Sequence, residues 1–260
     1  MSELGQQSLG GKIVHACIRR YKTWELKVRQ LLGAPTVRSY YGPRFVANYA
    51  DITFRFYIKS SYGFFYWDRI AALQEPFIFL DIGANQGLYA VGAALNPHCQ
   101  RVYAFEPVSA VSNLLQQNID LNQVQDRCEV VRKAVTNHRE GVTIRLNPTH
   151  SGSATIADGN NSHEGGHGEL VETLDAKGLD DLIEARDLPI IVKIDVEGHE
   201  QVVIEQLLKS AFANQIREIF YEVDERWVKA EVLSDQLMQA GFKTQKIGRK
   251  KHYDVLAERQ

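Results

Sequence analysis

Cysteine is scarce in this chain. The three residues Cys17, Cys99 and Cys128 are odd in number and far apart. That usage fits reduced thiols and argues against a disulfide framework. Long apolar runs are missing too. No uninterrupted stretch approaches the ~20 residues of a membrane-spanning helix, and the N-terminus lacks the apolar core of a signal peptide. The expectation is a soluble, cytoplasmic protein. Charge of one sign is also lacking: the net charge of −2 excludes a chain-wide field for polyanions, though not a local basic patch. No internal repeat is evident. What is present is an apolar content of 44% in 260 residues. That is material for one large α/β domain with an appendage.

The informative stretch is Phe77-Ile78-Phe79-Leu80-Asp81-Ile82-Gly83-Ala84-Asn85-Gln86-Gly87-Leu88. An apolar run without alternation reads as a strand buried on both faces. Gly83 and Gly87 permit a tight turn and close approach of a ligand to the backbone. A helix follows, and its free N–H groups face whatever is bound. From here strands and helices alternate, the mark of a doubly wound parallel sheet. Strands are expected at 77–82, 101–106, 128–135, 190–196 and 217–223, with short ones at 142–147, 243–247 and 252–257. Helices are expected at about 86–95, 108–121, 179–187, 199–212 and 231–240.

Ligands on such sheets bind at the carboxyl ends of the strands. A dinucleotide fingerprint would need glycine at 83, 85 and 88, but Asn85 and Leu88 stand there. Asp81 would repel a pyrophosphate and welcome a cationic ligand end. S-adenosylmethionine, with its sulfonium and ammonium, answers that description. The plainer alternative is an Asp that caps the turn. Strand two ends in Tyr103-Ala104-Phe105-Glu106-Pro107. Glu106 lies 19 residues after Gly87, where an acid accepts hydrogen bonds from ribose hydroxyls, and Pro107 suits the start of the next helix. Strand three should place residues 133–135, Ala134 among them, beside the adenine.

Strand four reads Ile190-Ile191-Val192-Lys193-Ile194-Asp195-Val196-Glu197-Gly198-His199-Glu200. Lys193 and Asp195 are two apart and share a face. Five ionisable residues in eight positions at a carboxyl edge are hard to explain as core, although a Lys–Asp pair alone is also a common buried ion pair. Strand five brings Glu222 beside Asp195 and Glu197.

The N-terminal region, residues 1–76, reads as an appendage to a domain at 77–260. Residues 2–11 read as a frayed end. A helix over 12–32 has Val14, Cys17, Ile18, Tyr21, Trp24, Val28, Leu31 and Leu32 at helical spacing. Its other face carries Lys12, Arg19, Arg20, Lys22, Lys27 and Arg29 against one acid, Glu25. The expectation is an apolar face packed on the domain and a solvated basic face. The sharper reading is a helix for homodimerisation or for peripheral contact with an anionic membrane. Residues 36–59 read as β structure, with a turn at Tyr40-Tyr41-Gly42-Pro43 and alternation over Ile52–Ile58. A helix at about 64–74 packs the rings of Tyr62, Phe64, Phe65, Tyr66 and Trp67, some of which are candidates to line a pocket. Residues 148–169 read as a long loop. Within it, Ser151 and Ser153 are candidate acceptor contacts, and His163 and His167 a weak metal hint against a plain polar loop.

Leu80–Gly87, Ala104-Phe105-Glu106-Pro107, Asn118, Thr173-Leu174-Asp175, Val192–Glu200 and Glu222 together resemble the FkbM family of S-adenosylmethionine-dependent methyltransferases. The resemblance covers roughly residues 77–225. It implies a Rossmann-like methyltransferase sheet with an antiparallel last strand. It also implies O-methylation, often of sugar hydroxyls in glycans, glycolipids or natural products. On this reading Asp81, Gly83, Asn85, Gly87, Glu106, Pro107 and Ala134 hold the cofactor. Asp195, Glu197 and Glu222 face the acceptor, one of them as general base. Lys193 tunes or orients a carboxylate. His199 is either an alternative base or an exposed first-turn residue. Such a carboxylate cluster is also able to hold Mg²⁺ or Mn²⁺, which spacing does not decide, and no metal ligand is assigned. A small-molecule or glycan acceptor is expected and nucleic acid is not. The rival readings are a nicotinamide-dependent oxidoreductase, opposed by Asn85 and Leu88, and a catalytically silent glycan-binding protein, opposed by the intact acidic cluster.

Overall fold

The computed structural model describes residues 9–59, 63–147, 149–156, 168–226, 230–248 and 252–260, without the side chains of residues 9–15 and 153. Expectations on Tyr62, His163, His167 and the Ser153 side chain lie outside them. Helix α1, Leu9–Leu31, stops where Gly33 turns left-handed at φ 62° and Ala34 donates back to the Arg29 carbonyl at 2.9 Å. Strands β1, Thr36–Arg38, and β2, Arg44–Val46, form an antiparallel hairpin, and Gly42 at φ 108° makes its turn.

Two expectations fail in this region. Residues 52–58 are not a strand but part of helix α2, Ile52–Lys59. Asp51 caps it, its carboxylate accepting from the Phe54 N–H at 2.7 Å, and a cap of this kind favours a helix by about 1 kcal/mol. The buried residues Thr53, Phe54, Tyr57 and Ile58 follow the helical period, which a run apolar at nearly every position conceals. Helix α1 also packs on the opposite side to the one expected. Leu26 is buried, and Lys22, Glu25 and Arg29 turn inward as an ion-paired row. Tyr21, Trp24, Leu31 and Leu32 are 58%, 62%, 87% and 78% exposed.

Helix α3, Phe64–Ala71, fastens this region to the sheet. Tyr66 stacks on Phe220 at 4.0 Å between ring centroids. The Trp67 ring lies over Gly92, where a Cβ would come within 2.3 Å of it. One apolar cluster runs from Leu26 through Ile58 and Ile70 into the sheet residues Phe77 and Phe79.

The remaining elements are β3 Phe77–Ile82, α4 Leu88–Leu95, β4 Cys99–Phe105, α5 Ser109–Leu121, β5 Cys128–Val131, β6 Ala134–Val135, β7 Val142–Arg145, β8 Thr155–Ile156, β9 Gly168–Val171, β10 Thr173–Leu174, α6 Ala176–Leu182, β11 Ile190–Ile194, α7 Glu200–Lys209, β12 Ile216–Asp224, α8 Ala230–Gln239, β13 Phe242–Ile247 and β14 His252–Arg259. Seven strands form the main sheet in the order β13-β14-β12-β11-β3-β4-β5. The neighbours from β12 to β5 are parallel, and β14 runs antiparallel between β12 and β13. This is the expected Rossmann-like methyltransferase sheet with its antiparallel last strand. Every residue of β3 and of β11 is buried, which explains the apolar runs at 77–80 and 190–192 within them. The pleat sorts side chains by parity: Phe77 and Phe79 join one core, Ile78, Leu80 and Ile82 the other.

The run 128–135 divides. It bends after Val131, and β6 pairs instead with β10, held by the Ala134 N–H on the Glu172 carbonyl at 2.9 Å. Helix α6 starts earlier than expected because Asp175 caps it through the Gly178 N–H. Part of the expected 148–169 loop is ordered as a 3-10 turn at Ser151–Ser153 and as β8, which joins β7 and β9 in a small sheet. Among the described residues no helix is long and apolar enough to cross a membrane.

Candidate active site

A cavity of about 810 Å³ opens at the carboxyl ends of β3, β4, β11 and β12. Its rim starts with the turn after β3. Gly83 sits at φ 80°, and a Cβ there would lie 1.9 Å from the Asp195 carbonyl oxygen, so this position admits only glycine. The Gly83 and Ala84 N–H groups donate to the Phe105 carbonyl at 3.0 and 2.9 Å, and the Asp195 N–H donates to the Ile82 carbonyl at 3.0 Å. The turn is thereby tied to both neighbouring strand ends. Asn85 is left-handed at φ 49° and donates its N–H to Glu106 Oε2 at 3.0 Å.

Glu106 is buried, and its other oxygen accepts from the Val108 N–H at 3.0 Å. Burial pushes its pKa up to about 7 against these two donors. Each carboxylate oxygen has two lone pairs, so Glu106 keeps acceptor capacity toward the cavity it lines. Gly83, Asn85, Pro107 and Ala134 also line the cavity.

Two cofactor residues inferred from the sequence lie elsewhere. Asp81 is fully buried beneath the turn and does not line the cavity. Its charge partner is the Lys193 ammonium at 3.5 Å, and burial raises its pKa despite that cation. Direct contact with a cationic ligand end is therefore not its role. Gly87, at φ 92°, serves the entry of α4 against Leu115.

Lys193 corrects a second expectation. Its ammonium is buried, donates to the Gly83 carbonyl at 3.0 Å and lies 3.4 Å from Asp195. Burial lowers its pKa, but Asp195 and Asp81 outweigh that and raise it. It stays charged, does not line the cavity, and holds the turn to β11.

Asp195, Glu197, Glu222 and His199 all line the cavity. One oxygen from each of the three carboxylates lies within 4.8 Å of the others. That spacing suits a shared proton, a cationic ligand end or a divalent cation. Burial, then Asp195, Glu200 and Asp224, raise Glu197 to about 8, with Arg226 opposing. Burial, then Asp195 and Glu197, raise Glu222 further still. Glu197 has a left-handed backbone at φ 50°, a strained conformation for a residue with a side chain. Glu200 secures this bend by accepting from the Gly198 N–H at 3.1 Å. His199 is half-buried and its Nε2 meets the Thr136 hydroxyl at 3.0 Å.

Ser151 also lines the cavity, and its hydroxyl donates to Asn85 Oδ1 at 3.0 Å. It thus fastens the post-β7 segment to the cofactor turn.

Sequence reasoning missed Asp51, Gln86, His252 and Asp254. Asp51 is the hub of the turn's support: besides capping α2 it accepts from Gln86 Nε2 at 2.9 Å and from the Ser151 N–H at 2.8 Å. His252 lines the cavity and its Nε2 contacts Glu222 Oε1. Asp254 is the register partner of Glu222, and burial, then Asp195, raise it to about 7. The β12–β14 pairing assembles these groups from distant segments. None of the rings described from Phe64 to Trp67 reaches the cavity; Phe56 and Tyr57 of α2 line it instead.

Residues 81–244 match the methyltransferase FkbM domain. The chain belongs to that family. The nicotinamide reading is set aside by this match. The AMB antimetabolite synthetase AmbE of Pseudomonas aeruginosa is 29% identical over 203 residues, which is 64% of this chain and 9% of that protein. The chain thus spans a small part of that relative's length. Two structures stand among the solved ones that are similar in fold. One is M. capricolum TrmK in complex with S-adenosyl-homocysteine, at 13% identity and TM-score 0.46, covering 76% of this chain and 67% of that one. The other is an rRNA methylase from Streptococcus thermophilus, at 12% identity and TM-score 0.44, covering 78% and 95%.

The residues fit S-adenosylmethionine. Glu106 offers lone pairs for ribose hydroxyls. Ala134 and Val135 give an apolar wall for a flat base. Asp195, Glu197 and Glu222, at the carboxyl ends of β11 and β12, give an acidic wall for a cationic end.

Proposed function

We propose that this chain methylates a hydroxyl oxygen, with a sugar unit of a glycan, glycolipid or natural product as acceptor. The observation that carries the reading is the Asp195–Glu197–Glu222 cluster on the cavity wall, with Glu197 raised to about 8. S-adenosylmethionine, when bound, supplies an electrophilic methyl group. A hydroxyl is a very weak acid, so its proton must leave as the new bond forms. A carboxylate with a raised pKa is matched to that task, and Glu197 is the base in this reading. Asp195 balances a positive charge beside it, and His252 orients Glu222, which burial and its carboxylate neighbours hold toward the protonated form. Asn85 and Glu106 position the cofactor, and most of the rate comes from that alignment. The relative named as an antimetabolite synthetase favours a natural product among the acceptors.

Glu197→Gln tests the reading. S-adenosylhomocysteine affinity, by calorimetry, should stay within about threefold. Methyl transfer to a panel of sugar nucleotides, glycolipids and hydroxylated natural products should fall by about 10²–10⁴. Full turnover in this variant, or a methyl group found on nitrogen or carbon, would refute it.

A further inference from the structure

Helix α1 carries an apolar stripe that the described residues leave uncovered. Tyr21, Trp24 and Leu31 are exposed, and Val28 is half-buried between them. At 3.6 residues per turn these four fall on one face. Both edges of that face are basic. Arg20 and Lys27, both exposed, follow one edge. The other edge borders a groove of about 260 Å³ between α1 and the β1–β2 hairpin.

The groove brings Lys22, Arg29, Arg38 and Arg44 together beside Tyr21, with Glu25 as the one carboxylate lining it. Lys22 and Arg29 share Glu25. Arg44 donates to the Thr36 hydroxyl at 3.1 Å and makes no ion pair among the described residues. Burial raises the Glu25 pKa, but hydrogen bonds from Lys22 and Arg29 outweigh it and lower the value. Glu25 therefore stays ionised and neutralises one of four cations.

We propose that this face of α1 docks on an anionic lipid bilayer. Trp24 and Tyr21 take the interfacial level, Leu31 enters the acyl boundary, and lipid phosphates meet the Arg20–Lys27 edge and the groove. A basic amphipathic helix with aromatic and aliphatic residues on its apolar face is the arrangement that binds such surfaces. The charge pattern selects this occupant over a second copy of the chain. Glu25 is the only acid in α1 and it is turned inward. Two such faces brought together would therefore oppose cation to cation. The placement also relates to the cavity: α2 packs between α1 and the site, and its Thr53, Phe56 and Tyr57 line the cavity wall.

Co-sedimentation tests this, using vesicles of phosphatidylcholine alone and of phosphatidylcholine mixed with phosphatidylglycerol. Binding is expected to the mixed vesicles and not to the neutral ones. It should be lost at 1 M salt, where the screening length falls to about 3 Å. Tryptophan emission should shift to the blue on binding, and Trp24→Phe should lose that shift. Arg20→Gln with Lys27→Gln should weaken binding about thirtyfold while leaving S-adenosylhomocysteine affinity unchanged. Three results would overturn the proposal: equal binding to neutral vesicles, full binding by the double variant, or a dimer in sedimentation velocity that Trp24→Glu splits.

Discussion

Lys193→Met probes the group on which the cofactor turn rests. In the native chain the ammonium lies 3.5 Å from Asp81, 3.4 Å from Asp195 and 3.0 Å from the Gly83 carbonyl. Coulomb's law at an effective dielectric of about 20 gives about 5 kcal/mol for each ion pair at such separations. Desolvation of the buried Lys193 and Asp81, and in part of Asp195, cancels much of this. The balance left when one partner of a buried pair is removed is about 3–5 kcal/mol. Methionine keeps the length of the side chain, so packing changes little and the loss is electrostatic. Urea denaturation followed by circular dichroism should therefore show Lys193→Met destabilised by about 3–5 kcal/mol at pH 7. The penalty comes from ionised Asp81, whose folded-state pKa is already raised. A raised carboxyl pKa favours the fold at low pH and disfavours it as pH climbs, so the variant should regain stability on acidification. Asp81→Asn in the Lys193→Met background should recover a large part of the loss at pH 7. A cost under about 1 kcal/mol, or a double variant no more stable than the single one, would refute the account of the buried triad.

Other expectations concern the cavity. If Glu197 is the base, kcat/KM should rise about tenfold per pH unit below about 8 and level above it, and Glu197→Gln should flatten that limb. Glu106 accepts ribose hydroxyls best when ionised, so S-adenosylhomocysteine affinity by calorimetry should fall as pH drops through about 7. Glu106→Gln should lower that affinity at pH 8 and remove its pH dependence. Gly83→Ala meets the Asp195 carbonyl and should abolish cofactor binding or prevent folding, with thermal melts separating the two.

The central sheet was legible because burial on both faces leaves apolar residues without alternation, at 77–80 in β3 and 190–192 in β11. The turn from Asp81 to Gly87 was legible because its backbone demands glycine at set places. The depth of a side chain was not. Parity put Lys193 and Asp195 on one face but did not tell whether that face meets the cavity or the layer beneath it. Helix α2 was misread because Ile52–Ile58 satisfies both periods, and the cap at Asp51 decided between them. Helix α1 offers two packable faces, one apolar and one ion-paired. The face that packs carries Leu26, in the core, and Lys22, which donates to the Arg38 carbonyl of the hairpin; that core and that carbonyl both lie outside the helix. His252 and Asp254 reach the site only through the register of an antiparallel strand some 30 residues along the chain from Glu222.

The left-handed backbone at Glu197 has a consequence for how this protein would respond to selection. A glycine there would relax the bend, worth about 1 kcal/mol or more, and would remove a carboxylate crowded by Asp195 and Glu200. Because burial and those neighbours raise the Glu197 pKa, the native chain loses stability as pH rises toward 8, and the gain from Glu197→Gly should grow over the same range. Screening for thermal tolerance alone would thus favour discarding this group. Keeping it would mark activity, and not robustness, as the trait under pressure at that bend.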